Sequence, residues 1–164
     1  MIRNLTLATA LLAAPMAYAD SDGSSDDVAA GEAAFRSCVA CHVVRNLEGE
    51  VLAGRNGRTG PNLYGIAGRA AGAVDGFRYS PAMVAGGEAG LVWSEETFAE
   101  YVPNATNFLR EFTGDSSLRS TMSPQRVDED AAENIWAYIV SLGPMMMMDG
   151  EMMDDDMMDE EASE

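Results

Sequence analysis

The sequence predicts an all-α domain, and three observations favour that fold class. Residues 128–142 carry apolar side chains at helical spacing, between an aspartate and a Gly-Pro pair that stops the helix. Shorter stretches with helix-opening residues begin near positions 27, 80 and 94. The glycine-rich stretch from about residue 43 to 76 shows none of the alternation that is typical of strands. With 164 residues, the chain has room for one such domain.

The motif around which this domain is organised consists of Cys38, Cys41 and His42, spaced C-x-x-C-H. This is the attachment signature of a c-type haem. Thiols three residues apart lie on one side of a helical turn, so each can form a thioether with a vinyl group along one haem edge. The imidazole that follows can then ligate the iron. We therefore predict one covalently attached haem c with its iron.

The same two thiols are compatible with three other structures: a disulfide, a thioredoxin-like redox couple and half of a zinc site. A zinc site needs two further Cys or His ligands, and the chain has only these two Cys and this one His. A thioredoxin-like couple needs a βαβ context, and none follows the motif. Haem attachment explains the residues best.

The amino-terminal residues 1–19 have the pattern of a secretory signal peptide. An early arginine precedes an apolar run over residues 5–14, and A-Y-A at 17–19 is a cleavage site. The run is too short to span a bilayer, and the alternative is a signal retained as a membrane anchor. We expect cleavage before Asp20 and export to the periplasm, with residues 20–26 as a polar flexible segment.

Four to five helices are expected within residues 27–144, the predicted folded domain. The first starts from a cap region that ends at Asp27, and Gly31 inside it indicates close approach by another helix or a large side chain. Later helices open at Ser80 and Ser94, both suited to an N-cap. Asp128 caps the last one. A loop over 113–125 precedes that last helix.

Charge and methionine are unevenly distributed. Ten arginines and no lysine face 27 acidic residues, giving a formal net charge of −17, which excludes nucleic acid as a partner. Residues 145–164 hold nine of the acids and eight of the twelve Met. We expect this tail to be disordered and outside the fold. The alternative is Cu(I) handling, because thioethers suit that ion.

Over residues 27–143 the chain resembles the class I cytochromes c, the mitochondrial and small bacterial type. The segments that carry the resemblance are residues 31–35, 38–42, 59–63, 68–69, 76–80, 93–97 and 135–139, together with Met122. The resemblance implies a cytochrome c fold wrapped around one haem, with its first and last helices crossed. The acidic tail and the longer segment from 102 to 122 depart from the family pattern.

Met122 is the expected sixth ligand of the iron. His42 is already used and the chain has no lysine, so a thioether is the natural choice. Met122 lies 80 positions after His42, in a loop before the last helix, which is where the family places its ligand. Met83 falls at a helix start and the remaining Met lie in the signal or the tail.

The resemblance also implies roles for four further residues. The carbonyl of Pro61 would accept from the second ring nitrogen of His42. Arg69, Tyr79 and Trp93 would donate to the haem propionates, which are anions that need donors when buried. Taken alone, each could equally be a turn, core or surface residue.

These features together predict a one-electron carrier rather than an enzyme, because the protein would fill both axial positions of the iron. The expected partners are a quinol-oxidising complex on one side and a terminal oxidase, a reductase or a photosynthetic centre on the other, with no small-molecule substrate. The carrier is expected to be a monomer. Arginines that flank the haem-bearing segments would form its docking face, namely Arg36, Arg45, Arg119 and Arg126. The alternative is a haem enzyme or gas-binding protein with a labile sixth ligand.

Overall fold

Residues 25–144 are described by the computed structural model and form five helices and one short hairpin. In chain order these are α1 (Ser25–Phe35), β1 (Val43–Arg45), β2 (Val51–Gly54), α2 (Pro81–Glu88), α3 (Glu95–Tyr101), α4 (Ala105–Thr113) and α5 (Glu129–Ser141). The expected signal peptide, residues 20–24 of the polar segment and the acidic tail lie outside the described residues. Within 25–144, no helix is both long and apolar enough to cross a membrane.

Three helices begin at the caps that the sequence predicted. Ser80 accepts a hydrogen bond from the Met83 amide at 3.3 Å. Ser94 and Thr97 form a reciprocal capping box at the start of α3. The Asp128 carboxylate accepts from an amide in the first turn of α5 at 3.0 Å. Each of these bonds satisfies an amide that has no partner inside its own helix, so the local sequence fixes where the helix starts.

Helix α1 crosses α5 at Gly31. A Cβ built on Gly31 would overlap the carbonyl oxygen of Asn134 and would lie 2.8 Å from the Cβ of Tyr138. One turn further along α1, the ring of Phe35 packs on the ring of Tyr138 with centroids 5.6 Å apart. The crossing of the first and last helices is therefore confirmed, and it depends on the missing side chain of Gly31.

The hairpin was not expected, since the stretch after His42 was predicted to contain no strand. β1 and β2 pair antiparallel with an irregularity between Val44 and Arg45. They are only three and four residues long, too short to show alternation. The Asn62 side chain donates to the Arg45 carbonyl at 2.8 Å and accepts from its amide at 3.0 Å. These contacts from elsewhere in the chain hold β1 in place.

Helix α4 was not predicted from the sequence, although residues typical of helix ends flank it. Asn104 caps it by accepting from the Asn107 amide at 3.2 Å, and Gly114, at φ 73°, ends it. Ala105 and Leu109 are fully buried one turn apart. The other positions of α4 are mostly polar or charged, so the apolar stripe is narrow.

Aromatic rings fill the core where α3 packs on its neighbours. The Trp93 and Tyr101 rings meet edge to face at 4.9 Å. Phe98 packs on Trp136 of α5 at 5.4 Å. Such pairs stabilise a core beyond the area that they bury. Both tryptophans of the chain therefore lie in the interior around α3.

Candidate functional site

A cavity of about 300 Å³ lies between the C-x-x-C-H turn, the glycine-rich segment, α2, α3, α5 and the loop before α5. Its volume is at the low end of the range for ligand-binding pockets. All eight residues predicted for the site line this one cavity: Cys38, Cys41, His42, Pro61, Arg69, Tyr79, Trp93 and Met122. Much of the remaining wall is apolar, formed by Leu63, Ile66, Phe77, Phe98, Val102, Ile135 and Ile139. A mainly apolar cavity thus lies beside His42.

The two thiols are presented by a tight turn that continues from α1. The Cys38 amide donates to the carbonyl of Phe35 at 2.8 Å. The amides of Cys41 and His42 both donate to the Cys38 carbonyl, at 3.1 and 2.9 Å. Both cysteines line the cavity, and the two do not form a disulfide with each other. Burial raises the pKa of the Cys38 thiol.

His42 is held in the orientation and protonation state that a metal ligand needs. Its Nδ1 lies 3.0 Å from the carbonyl oxygen of Pro61, which can only accept, so Nδ1 carries the proton. Burial lowers the pKa of His42, which the Pro61 bond partly offsets. The ring is therefore neutral, and Nε2 keeps a free lone pair. A Cβ on Gly60 would overlap the imidazole, so glycine is required there.

Arg69, Tyr79 and Trp93 come together on another part of the wall. Arg69 donates through Nη1 to the Tyr64 carbonyl at 2.9 Å and through Nη2 to the Asn62 carbonyl at 3.0 Å. These bonds fix the guanidinium. Burial lowers the pKa of Arg69 and raises that of Tyr79. The Trp93 amide donates to the Arg69 carbonyl at 3.0 Å. This backbone hydrogen bond keeps the two residues side by side.

Two thioethers reach the cavity, not one. Met122 lies half-buried in the loop between α4 and α5, and its amide donates to Ser120 Oγ at 3.1 Å. Met83, in the first turn of α2, is buried and lines the same cavity. The sequence placed Met83 only at a helix start. Met83 lies in the first turn of α2, directly after the Ser80 cap, and that turn is buried. This position is the feature of the sequence that could have placed Met83 in the interior.

These residues fit a covalently bound haem. Two thiols at the motif spacing, a neutral imidazole with a free Nε2 and two thioethers share one mainly apolar cavity. Arg69, Tyr79 and Trp93 add donors on the same wall. Residues 25–144 contain no cluster of three or more His, Cys, Asp or Glu side chains that could bind a metal ion directly.

The comparisons with known proteins agree with this chemistry. No protein-family model matches the chain. Cytochrome c2 of Rhodovulum adriaticum is 54% identical over 119 residues, covering 73% of this chain and 94% of that protein. Cytochrome c-550 of Paracoccus versutus is 39% identical over 120 residues, covering 72% and 74%. The crystal structure of cytochrome c2 from Rhodobacter sphaeroides superposes with a TM-score of 0.68 at 45% identity, covering 70% and 94%.

These relatives are matched over most of their own length. The fold of these relatives agrees with the fold of this chain. The C-x-x-C-H turn and the cavity beside His42 agree with the haem that such proteins carry. This chain therefore belongs to the bacterial class I cytochromes c, the cytochrome c2 type, which carry electrons on one covalently attached haem c.

Proposed function

We propose that the protein is a periplasmic one-electron shuttle in which His42 and Met122 ligate the haem iron. The observation that carries this proposal is the convergence of the C-x-x-C-H turn and a loop thioether on one cavity. If His42 and Met122 both held the iron, no ligand position would remain for a substrate, and the protein would be a carrier and not an enzyme. The haem iron supplies one reversible electron, and His/Met ligation favours a high reduction potential.

The residues around the cavity have separate tasks in this proposal. Cys38 and Cys41 hold the haem covalently through thioethers. Pro61 keeps the proton of His42 on Nδ1 and so directs Nε2 to the iron. The apolar wall limits access of water, which reduces the solvent reorganisation that accompanies a change of charge.

The propionates are assigned to Arg69, Tyr79 and Trp93. Two of the five N–H groups of Arg69 bond to backbone carbonyls within the described residues. Its remaining donors, with the Tyr79 hydroxyl and the Trp93 indole, are suited to carboxylates. A fixed guanidinium needs little reorganisation to stabilise the charge of a propionate.

The proposed partners are a membrane complex that oxidises quinol and an acceptor that is a terminal oxidase, a reductase or a photosynthetic centre. Outer-sphere transfer through the haem edge requires only brief docking. Arg36, Arg119 and Arg126 are exposed and available to steer that docking. Arg45 was also expected in the docking face. Its guanidinium instead donates to the Gly49 carbonyl and to Asn56 Oδ1, so it is less available to a partner.

The identity of the thioether ligand is tested by two matched variants of the haem-loaded protein. Met122→Ala should abolish the weak near-infrared band of sulfur-to-iron ligation in the oxidised state and lower the reduction potential. Met83→Leu should keep both. The reverse result would assign the ligand to Met83. Binding of carbon monoxide by the reduced wild-type protein would instead support the alternative of a gas-binding or catalytic haem.

A further inference from the structure

We propose that Thr106 and Arg110 of α4 are positioning residues that clamp the loop of Met122 and set how readily this thioether leaves the iron. The inference rests on the proposed ligation by Met122. It adds a role for α4, the helix that the sequence did not reveal.

The loop between α4 and α5 has no helix or strand of its own. Two hydrogen bonds join residues 118 and 120 of this loop to α4. The Arg110 guanidinium donates through Nε to the carbonyl oxygen of Leu118 at 2.7 Å. The Ser120 amide donates to Thr106 Oγ1 at 3.1 Å. Both bonds are part-buried, so water competes with them less than it would on an open surface.

The spacing of the two anchors suits the loop. Thr106 and Arg110 are four residues apart, so they lie on one face of α4 separated by about 6 Å along its axis. Two residues of extended chain span about 6.6 Å. Leu118 and Ser120 are two residues apart and lie outside any helix. One turn of helix therefore holds two backbone positions of the loop, one on each side of Arg119.

The second anchor continues to the ligand. Ser120, whose amide is held by Thr106, accepts a hydrogen bond from the Met122 amide through Oγ at 3.1 Å. Tyr101 of α3 is buried and lines the same cavity as Ser120, and burial raises the pKa of its phenol. Helix α4 thus reaches Met122 through Ser120. A loop held in this way keeps its thioether at the cavity.

Arg110 is the stronger of the two anchors. A bond from a charged donor to a carbonyl is shorter and stronger than one between neutral groups. Its loss also leaves the Leu118 carbonyl without this partner. The loop should then open more often, and each opening exposes the sixth position of the iron to an added ligand.

Imidazole titration of the oxidised, haem-loaded protein measures this opening. Arg110→Ala should bind imidazole about tenfold more tightly than wild type, as expected for the loss of a charge-assisted bond. Thr106→Val should shift the affinity a few-fold in the same direction, and Thr106→Ser, which keeps the hydroxyl, should not. Arg110→Lys keeps a cationic donor and should fall between wild type and Arg110→Ala. Arg119→Ala is the matched control, because this exposed arginine lies in the loop itself and its removal changes the charge equally.

The outcomes separate this inference from the proposed function. If wild type shows no sulfur-to-iron band, the ligation by Met122 is wrong and the inference is overturned with it. If the band is present but Arg110→Ala and Thr106→Val bind imidazole as wild type does, the clamp alone is refuted. Equal effects of Arg110→Ala and Arg119→Ala would show that charge, not the bond to Leu118, is responsible. If Arg110→Ala does not mature, the Thr106 pair and Arg110→Lys still decide the question.

Discussion

The α-carbon of Gly31 faces the backbone carbonyl of Asn134 so closely that any side chain at position 31 would overlap it. Gly31→Ala should therefore destabilise the haem-loaded protein by about 3 kcal/mol, since overpacking outweighs the gain in helix propensity of about 1 kcal/mol. Chemical denaturation followed by circular dichroism measures the change. Ala33→Gly, at an exposed position of the same helix, should cost only about 1 kcal/mol. Equal costs would show that the crossing of α1 and α5 is not tight at Gly31.

Arg69→Gln should affect both stability and reduction potential. Two backbone carbonyls, those of Asn62 and Tyr64, lose their guanidinium donor, which should cost about 2 kcal/mol. Removing a positive charge beside the haem stabilises the oxidised form, so the potential should fall in a redox titration. Arg78→Gln removes the same charge from an exposed neighbour and should change both quantities less. A potential that does not move in Arg69→Gln would argue against propionate binding by this residue.

Glu95 should make the protein less stable as the pH rises through the acidic range. Burial, followed by the carboxylates of Glu133 and Asp27, raises the pKa of Glu95 above its ordinary value of 4.5. The folded state therefore holds this proton more tightly than the unfolded state, and that contribution to stability is lost as the pH rises through the folded pKa. Glu95→Gln should raise the melting temperature at pH 7 and change it little at pH 3.5.

Glu96→Gln is the control for that comparison, because Glu96 occupies the same first turn of α3 and, like Glu95, has an exposed side chain. It shares the favourable interaction of an acid with the helix dipole. If both variants lower the melting temperature at pH 7 by the same amount, the lost interaction with the helix dipole dominates. The crowding of Glu95 with Glu133 and Asp27 would then be unimportant.

Electron-transfer rates should depend on salt in a way that the exposed arginines determine. Steering by charge weakens as ionic strength rises. Neutralising Arg36, Arg119 and Arg126 together should slow oxidation by a membrane acceptor at low salt and have little effect at high salt, in stopped-flow measurements. The control variant is Arg55→Gln, which neutralises an exposed arginine outside the predicted docking face. A wild-type rate that is independent of salt would refute this docking face.

Truncation after Pro144 should leave the spectrum, reduction potential and melting temperature unchanged. The expectation follows from the composition of residues 145–164, in which nine acids repel one another and no aromatic or branched apolar residue can anchor a core. Absorption, redox titration and calorimetry on the two forms measure it. Loss of haem ligation on truncation, or tight stoichiometric Cu(I) binding by the full chain alone, would give the tail a function.

The parts of the fold that were predictable are those that local chemistry decides. Three helix starts could be predicted from their capping residues, Ser80, Ser94 and Asp128. Each capping side chain accepts a hydrogen bond from an amide only three residues away. Gly31 indicated the helix crossing because close approach of another helix or a large side chain is one reason for a glycine inside a helix, the alternative being a glycine that is merely tolerated. The cavity residues followed from the spacing of the motif and from family resemblance.

The missed parts depend on contacts from far along the chain. β1 is held by the Asn62 side chain, 17 positions away from Arg45, and no periodicity in three residues can show that. Helix α4 buries a narrow face, and its hydrogen bonds with the Met122 loop are visible only once the loop has folded back on it. Met83 reaches the cavity because α2 presents its first turn to the interior, which the cap alone does not reveal.

The burial of both tryptophans around α3 gives the protein an optical reporter of its own folding. Trp93 lines the cavity, and Trp136 packs on Phe98, which lines it as well. Haem absorbs where indole emits, so energy transfer over such short separations quenches the emission of both in the native state. Unfolding separates the rings from the cavity, and fluorescence should rise sharply. Native-state opening and the unfolding of variants can therefore be followed in unlabelled protein at low concentration.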